Sequence, residues 1–268
     1  MKVLKKVGKI LLILVLVLAI LGGVGYAFKS KLYAFALAKM PGNAEQYHPE
    51  QLSEKADSPL KGKHMIFLGS SVTYGSASLG VAFPEYLAAL DGIEIVKEAV
   101  PGTTLVTEGD TDATSYIPRM KTIDPAYPAD CFICQLSTND ATQGKALGSV
   151  SDSFAMEDFD TDTVAGAIEY IIAYARETWD CPVVFYTNCR MDQPDYLTLV
   201  EGLDRLQAKW DLTVIDLFRD DAFNDITPEQ RSLYMADEIH PTRAGYREWW
   251  LPRFEAALLA LAGVEQQP

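Results

Sequence analysis

Residues 64–75 read His-Met-Ile-Phe-Leu-Gly-Ser-Ser-Val-Thr-Tyr-Gly, an apolar run that ends in a Gly-Ser-Ser turn. The run from His64 to Leu68 predicts a buried β-strand, and the small polar residues after it predict a tight turn. In most proteins the hydroxyl groups of such a turn only bond to nearby backbone amides. Ser71 is also a candidate nucleophile, and the two interpretations differ in whether the chain supplies a base for it.

The last histidine of the chain, His240, lies 169 residues after Ser71 in Asp237-Glu238-Ile239-His240-Pro241. A serine hydroxyl is a poor nucleophile at neutral pH unless a base takes its proton, and that base needs an acid that fixes its tautomer. His240 and Asp237 are the candidate base and acid. The alternative is a loop in which the carboxylate caps the following helix and the imidazole is solvated.

Two further fragments lie between these blocks, and each follows a predicted strand. Gly102 stands in a Pro-Gly turn after the apolar stretch from Ile93 to Val96, where its N–H can approach a bound carbonyl or simply complete the turn. Asn139 follows the stretch from Cys131 to Leu136, where its amide can donate to a developing oxyanion or cap a helix.

Together the four blocks resemble those of the SGNH hydrolases, also called the GDSL esterase and lipase family. The resemblance implies that Ser71 is the nucleophile, His240 the base and Asp237 the acid. It further implies an oxyanion hole formed by the N–H groups of Ser71 and Gly102 and the side-chain amide of Asn139. The implied fold is a flavodoxin-like three-layer α/β/α arrangement around a five-stranded parallel sheet.

The resemblance covers residues 63–259 and is most specific in the last block, which continues as Thr-Arg-Ala-Gly-Tyr. The chain departs from the family pattern at three places. Ser70 stands where the family motif has aspartate, Ser137 replaces the glycine of the Gly-x-Asn-Asp block, and the asparagine that often precedes the second-block glycine is missing. These departures leave the proposed reacting groups in place but make substrate preference hard to transfer from known members.

The hydrophobic pattern independently predicts an α/β fold, because apolar strands alternate with helical segments and such alternation builds a parallel sheet covered on both faces. A helix is predicted after Thr163 and another from Pro194 to Trp210. A final helix, starting near Pro241, should pack on the sheet through Tyr246, Trp249 and Trp250. The predicted strands are residues 64–68, 93–96, 131–136, 183–187 and 213–218.

The N-terminal region carries the strongest composition signal. From Ile10 to Phe28 there are 19 residues without a charge, and a helix of that length, at about 1.5 Å per residue, nearly spans a hydrocarbon core of about 30 Å. The preferred interpretation is an uncleaved single-pass membrane helix with the enzyme outside. The alternative is a cleaved secretory signal, since four lysines precede the run and Gly25-Tyr26-Ala27 resembles a cleavage site.

These observations give three predicted regions: residues 1–30 as membrane anchor or signal, residues 31–62 as a juxtamembrane spacer without regular structure, and residues 63–264 as the hydrolase domain. The first 40 residues hold seven lysines and no acid, so the remainder carries 16 basic and 37 acidic residues. Such an acidic domain repels polyanions, which argues against a nucleic-acid partner. The predicted partners are the membrane, through the N-terminal helix, and a small ester or acylated carbohydrate.

No cofactor or metal is predicted, because the three histidines and the single Cys-x-x-Cys show no zinc-binding spacing. Cys131 and Cys134 are three apart on a predicted strand, so their side chains should point to opposite faces and cannot pair with each other. Buried free thiols are the default, and a bridge between Cys131 and Cys181 is the alternative. The sequence leaves the state of the fourth, Cys189, open.

The expected activity is hydrolysis of carboxylic esters through an acyl-enzyme, with O-acetyl groups on a carbohydrate as the first choice of substrate. A lysophospholipase or thioesterase is the near rival and would need a long apolar groove, for which Tyr74, Val81 and Phe83 are the candidates. A different class is a non-catalytic glycan-binding module on a hydrolase scaffold. Retention of all the proposed site groups argues against that class.

Overall fold

The computed structural model of this chain describes residues 31–108 and 113–263. The chain divides after Met40 into two compact units. In the first unit, residues 31–38 are helical. The second unit starts at Pro41 and contains all five strands and every candidate site residue.

The second unit is built on a five-stranded parallel sheet in the order β2-β1-β3-β4-β5. The strands are β1 (His64–Gly69), β2 (Glu94–Ala99), β3 (Cys131–Gln135), β4 (Val183–Tyr186) and β5 (Thr213–Ile215). Each lies within a few residues of its predicted position. The sheet therefore confirms the α/β prediction and puts β1, which precedes Ser71, between β2 and β3.

Helices connect the strands and cover the sheet. They are α1 (Ser71–Tyr74), α2 (Phe83–Asp91), α3 (Tyr116–Met120), α4 (Thr138–Thr142), α5 (Val164–Trp179), α6 (Pro194–Trp210), α7 (Asp221–Asn224), α8 (Pro228–Tyr234) and α9 (Leu251–Leu261), with a π-helix at Gly245–Trp250 that runs into α9. Short 3-10 turns lie at Pro41–Asn43, Glu45–Tyr47, Pro49–Gln51, Ser76–Ser78 and Met156–Asp158.

Two apolar clusters, one on each face of the sheet, give the three layers. Side chains alternate along each strand, so that Ile66 and Cys134 join the cluster under α5 and α6, whereas Phe67 and Cys131 join the cluster under α2, the π-helix and α9. The prediction that Cys131 and Cys134 face opposite ways is confirmed. All four cysteines are buried and free, and burial raises the pKa of Cys189 to about 12, which keeps that thiol unreactive.

Helix α5 begins where its sequence predicts, because Thr163 caps it by accepting a hydrogen bond from the N–H of Gly166 at 3.3 Å. Helix α6 also has its predicted bounds. Strand β5 is shorter than predicted and ends at Ile215, since the N–H of Phe218 bonds to the hydroxyl of Thr187 and leaves the ladder. The final helix packs through its buried aromatic residues as predicted, but its first part is a π-helix, which the pattern did not predict.

The segment from Pro41 to residue 62 differs from the predicted spacer, because it packs against the hydrolase core. Leu60 is 1% exposed and lies in the cluster under α2 and α9. The side-chain amide of Asn43 donates to the carbonyl of Ala77 at 2.7 Å and its oxygen accepts from the N–H of Arg243 at 3.0 Å. The compact unit thus starts 22 residues before the predicted boundary.

The predicted membrane-spanning run from Ile10 to Phe28 lies outside the described residues. Within residues 31–108 and 113–263, no helix has the length and hydropathy needed to cross a bilayer.

Leu60→Ala tests whether residues 41–62 belong to the folded core. Removing a buried leucine side chain from a packed cluster typically costs about 2–5 kcal/mol, so the free energy of unfolding in urea should fall by about that amount. Leu197→Ala is the control, because this leucine is 39% exposed on α6 and should change stability by about 1 kcal/mol or less. Equal, small effects of the two substitutions would mean that the segment is a loose spacer after all.

Candidate active site

The candidate residues gather at the carboxyl edge of the sheet. Ser71 opens α1 directly after β1, Gly102 follows β2, and Asn139 lies in α4 after β3. Because β1 pairs with both β2 and β3, the three loops leave adjacent strands and Ser71 lies in the middle. In open parallel sheets this edge is where loops converge around a ligand.

Ser71, His240 and Asp237 form a continuous hydrogen-bonded row. The Oγ of Ser71 is 2.8 Å from Nε2 of His240, and Nδ1 of the same ring is 2.9 Å from Oδ2 and 3.0 Å from Oδ1 of Asp237. A carboxylate can only accept at Nδ1, so that nitrogen carries a proton and Nε2 of the neutral ring is free to accept from the serine hydroxyl. The structure thus brings together three side chains that the sequence separates by up to 169 residues.

The carboxylate of Asp237 is held in its charged form. Partial burial favours the neutral acid, but hydrogen bonds from the His240 ring and from the backbone N–H groups of Ile239 and His240, both at 2.8 Å, outweigh it. They lower the pKa of Asp237 to about 2. The carboxylate therefore stays ionised beside His240 at neutral pH.

A buried glutamine shapes the turn that presents Ser71. The Oε1 of Gln135, at the end of β3, accepts from the N–H of Ser70 at 3.0 Å, from the N–H of Thr73 at 3.3 Å and from the hydroxyl of Thr73 at 2.8 Å. Gly69 is required there, because a β-carbon would lie 1.8 Å from that hydroxyl. Sequence reasoning missed Gln135, although a polar residue within the otherwise apolar run 131–136 was a usable signal.

Gly102 occupies a turn whose form directs its N–H. The N–H of Thr103 bonds to the carbonyl of Val100 at 3.4 Å, and Gly102 at the third position has φ of +84°, the geometry of a type II turn. The type I form would turn over the peptide that joins Pro101 and Gly102 and redirect the N–H. Gly102 is exposed, so this donor is accessible from solvent.

The loop that contains Asn139 is joined to the loop that contains Gly102. The side-chain amide of Asn139 donates to the carbonyl of Thr103 at 2.8 Å. The next residue, Asp140, is buried and accepts from the N–H of Leu105 at 2.8 Å, and its burial raises the pKa of that carboxyl. Ser137 caps α4 by accepting from the N–H of Asn139, which gives this departure from the family pattern a local function.

The loop that carries Asp237 and His240 is tied down on both sides. An isolated antiparallel bridge joins Met235 to Pro241, and the N–H of Ala236 donates to the carbonyl of His240 at 2.9 Å. From the loop after β4, the side-chain amide of Asn188 donates to the carbonyl of Ile239 at 3.2 Å. Asn188 also escaped sequence reasoning, although it directly follows the predicted strand 183–187.

One group of residues in the described ranges could geometrically hold a metal ion: Glu45, His48 and Glu50, whose ligand atoms lie within 4.8 Å of one another. Nδ1 of His48 already accepts from the N–H of Glu50 at 3.4 Å, and both carboxylates are exposed. This surface group includes none of the candidate site residues.

Comparison with functionally curated proteins found no match. Solved structures do match. A protein from Lactobacillus plantarum superposes with a TM-score of 0.58 at 21% identity, over 76% of this chain and 97% of that chain. A member of the lipolytic G-D-S-L family from Veillonella parvula superposes with a TM-score of 0.52 at 17% identity, over 74% of this chain and 98% of that chain. The aryl esterase of M. smegmatis superposes with a TM-score of 0.52 at 15% identity, over 75% of this chain and 100% of that chain. At these identities the likeness shows the fold.

The family itself is shown by the sequence. The model of the GDSL-like lipase/acylhydrolase family matches residues 67–248, which is more than half of the chain and includes all five candidate site residues. The chain belongs to the GDSL-like lipase/acylhydrolase family and is a serine hydrolase that acts on ester bonds.

Proposed function

We propose that Ser71 attacks the ester carbonyl while His240 takes its proton and Asp237 holds the imidazole and balances its charge. The observation that carries the proposal is the row from Ser71 Oγ to His240 Nε2 at 2.8 Å and from His240 Nδ1 to Asp237 at 2.9 Å. The tetrahedral intermediate then collapses, and His240 returns the proton to the departing alcohol. Water, activated by the same base, hydrolyses the acyl-enzyme.

The negative charge that develops on the carbonyl oxygen is met by three donors in this scheme: the N–H groups of Ser71 and Gly102 and the side-chain amide of Asn139. Asn139 uses one amide hydrogen on the carbonyl of Thr103, and its second hydrogen remains for the oxyanion. Ser71 is the first residue of α1, so its own N–H has no acceptor within that helix and is left for the oxyanion in this scheme.

The size of the activity loss in single variants should distinguish the nucleophile and base from the donors of the oxyanion hole. Ser71→Ala and His240→Ala remove nucleophile and base and should lower kcat on p-nitrophenyl acetate by at least about 10⁴-fold. Gly102→Ala and Asn139→Ala each remove or misdirect one oxyanion donor and should cost about 10²–10³-fold, which leaves measurable turnover. In Gly102→Ala the added β-carbon meets no atom within 4 Å, so the loss of turnover should come only from the strain of a positive φ in a residue other than glycine.

Labelling by a fluorophosphonate provides a second measurement on the same variants. Wild type should react rapidly, and peptide mapping should place the label on Ser71. Wild-type turnover in Ser71→Ala, or a label on another serine, would exclude the scheme. A protein that neither turns over nor reacts would fit the glycan-binding alternative instead.

For the substrate, we propose a short acyl group, an O-acetyl on a carbohydrate. Of the residues that a long apolar groove would use, Phe83 is fully buried and stacks on Phe254 with ring centroids 3.8 Å apart, and Val81 packs against the same cluster. Tyr74 alone is exposed, at 41%. Because Phe83 and Val81 are occupied in the core, a lipid chain gains little apolar contact from them.

A series of p-nitrophenyl esters from acetyl to palmitoyl tests the acyl preference. We expect kcat/KM to be highest for acetyl or propionyl and to fall by at least about tenfold by octanoyl, since a small site rejects each added methylene by steric exclusion. Release of acetate from an acetylated polysaccharide would then identify the carbohydrate. Rising kcat/KM with chain length, or hydrolysis of a lysophospholipid, would support the lysophospholipase or thioesterase instead.

The proposed location is the outer surface of the cell membrane, with a single-pass N-terminal helix, and the alternative is secretion after cleavage. The support is the uncharged run from Ile10 to Phe28 and the charge contrast between the lysine-rich first 40 residues and the acidic remainder. An acidic outer domain also fits a substrate that is a small ester or acylated carbohydrate rather than a nucleic acid.

Cell fractionation with a C-terminal tag tests the location. The tag should sediment with membranes, and protease added to intact cells should remove it, because the domain lies outside. A tag that stays protected until the cells are lysed would contradict the proposal. A tag that appears in the medium would support cleavage of the N-terminal segment.

A further inference from the structure

Arg119, in α3, is a buried cation that has no part in the proton transfers described above. It is 7% exposed, and each of the five N–H hydrogens of its guanidinium has an acceptor. Nε donates to the carbonyl of Thr114 at 3.0 Å. Nη1 donates to the carbonyl and carboxylate of Glu98 at 3.2 and 3.1 Å. Nη2 donates to the carbonyl of Gly69 at 2.9 Å and to the hydroxyl of Thr103 at 2.8 Å.

Three of the four residues that supply these acceptors, Gly69, Glu98 and Thr103, lie close in sequence to the backbone donors of the proposed oxyanion hole. Gly69 is the last residue of β1, two residues before Ser71. Glu98 is the penultimate residue of β2, and Thr103 directly follows Gly102. One planar group therefore fixes the end of β1 against the end of β2 and against the turn that carries Gly102.

Thr103 connects this group to the third donor. Its hydroxyl accepts from Arg119 and donates to the carbonyl of Val100 at 2.7 Å, and so reinforces the turn that the backbone bond between the same two residues closes. Its carbonyl accepts from the amide of Asn139 at 2.8 Å. The Gly102 turn and the amide of Asn139 are thus linked to the guanidinium through Thr103, and Ser71 is linked to it through Gly69, two residues earlier.

We infer that Arg119 is a positioning residue of the oxyanion hole: it holds the Gly102 turn and the end of β1 at a fixed separation before substrate binds. The inference rests on the function proposed above. Donors that are already in place stabilise developing charge without reorganisation, which is the main source of their effect on rate. Lysine cannot replace the planar guanidinium of Arg119, because an ammonium group has three donors and no planar arrangement that spans two strands and a turn.

The alternative is that Arg119 only stabilises the fold, for example through its ion pair with Glu98. The two cases differ in kinetics. Lost positioning lowers kcat and leaves KM nearly unchanged, because the missing interaction is made in the transition state. Lost stability lowers the amount of active protein and the unfolding midpoint while the active-site-titrated kcat stays the same.

The experiment compares four single variants of the full chain on p-nitrophenyl acetate, with active sites titrated by a fluorophosphonate. Arg119→Gln and Arg119→Lys should lower kcat by about 10–100-fold with KM changed by about threefold or less. Thr103→Val, which removes only the hydroxyl, should reproduce part of this loss. Arg176→Gln is the control: it also removes a guanidinium bond to a carbonyl, that of Trp210 at 2.7 Å on α6, and should leave kcat unchanged.

A double-mutant cycle with Gly102→Ala gives the decisive measurement. If Arg119 acts through the Gly102 turn, Arg119→Gln should cost about threefold or less once that donor is already misdirected, so the two losses are strongly non-additive. Additive losses, or an unchanged kcat in Arg119→Gln, would overturn the inference while leaving the reaction scheme intact. A Gly102→Ala variant with wild-type kcat would instead overturn the proposed oxyanion hole. If Arg119→Gln does not fold, Thr103→Val takes its place in the cycle with Gly102→Ala: non-additive losses of kcat support the inference, and additive losses overturn it.

Discussion

The parallel pairing of β1 with β2 on one side and β3 on the other is the constraint on which the whole site depends. Neighbouring strands lie about 4.8 Å apart, so loops that leave the same end of three adjacent strands must start within about 10 Å of one another. The turn that holds Ser71, the turn that holds Gly102 and helix α4, which holds Asn139, are therefore neighbours before any side chain contributes. A different strand order would separate the donors while leaving every local motif intact.

Sheet order sets the neighbourhood, but buried polar side chains set the distances within it. Gln135, Arg119 and Asp140 are each almost fully buried, and an unpaired polar group in that position would cost about 1–3 kcal/mol. Arg119 and Asp140 offset that cost with several hydrogen bonds, mostly to backbone groups of loops that have no ladder of their own, and Gln135 does so through Oε1 while its Nε2 has no partner among the described residues. Side-chain hydrogen bonds therefore hold the loops at this edge, just as backbone hydrogen bonds hold the strands.

This difference explains what the sequence could and could not predict. Strand positions and the bounds of α6 follow from hydrophobic period and capping, and the five candidate site residues were proposed from short blocks that resemble those of a known family; all of these signals are local in the chain. The bonds of Arg119 reach as far as Gly69, 50 residues away, and those of Gln135 reach Ser70, 65 residues away. The sequence can therefore mark Gln135 as an unusual polar residue in an apolar strand, but it cannot show which loops these two side chains hold. The packing of residues 41–62 was missed for a related reason, since Leu60 and Asn43 fill places that exist only once α2 and the π-helix have assembled.

The two halves of the proposed catalytic row are supported independently. The serine turn is bonded to β3 through Gln135, whereas the loop with Asp237 and His240 is closed by its own bridge and by the short bonds of Asp237 to the backbone that follows it. Asp237 and His240 thus form one local unit, since they are only three residues apart and their geometry is set by hydrogen bonds between them. Only the bond from Ser71 to His240 has to be made by the tertiary fold, through the packing of the π-helix and Asn188 against the sheet. A substitution that shifts this packing should therefore lengthen the hydrogen bond between Ser71 and His240 before it disturbs the bond between His240 and Asp237.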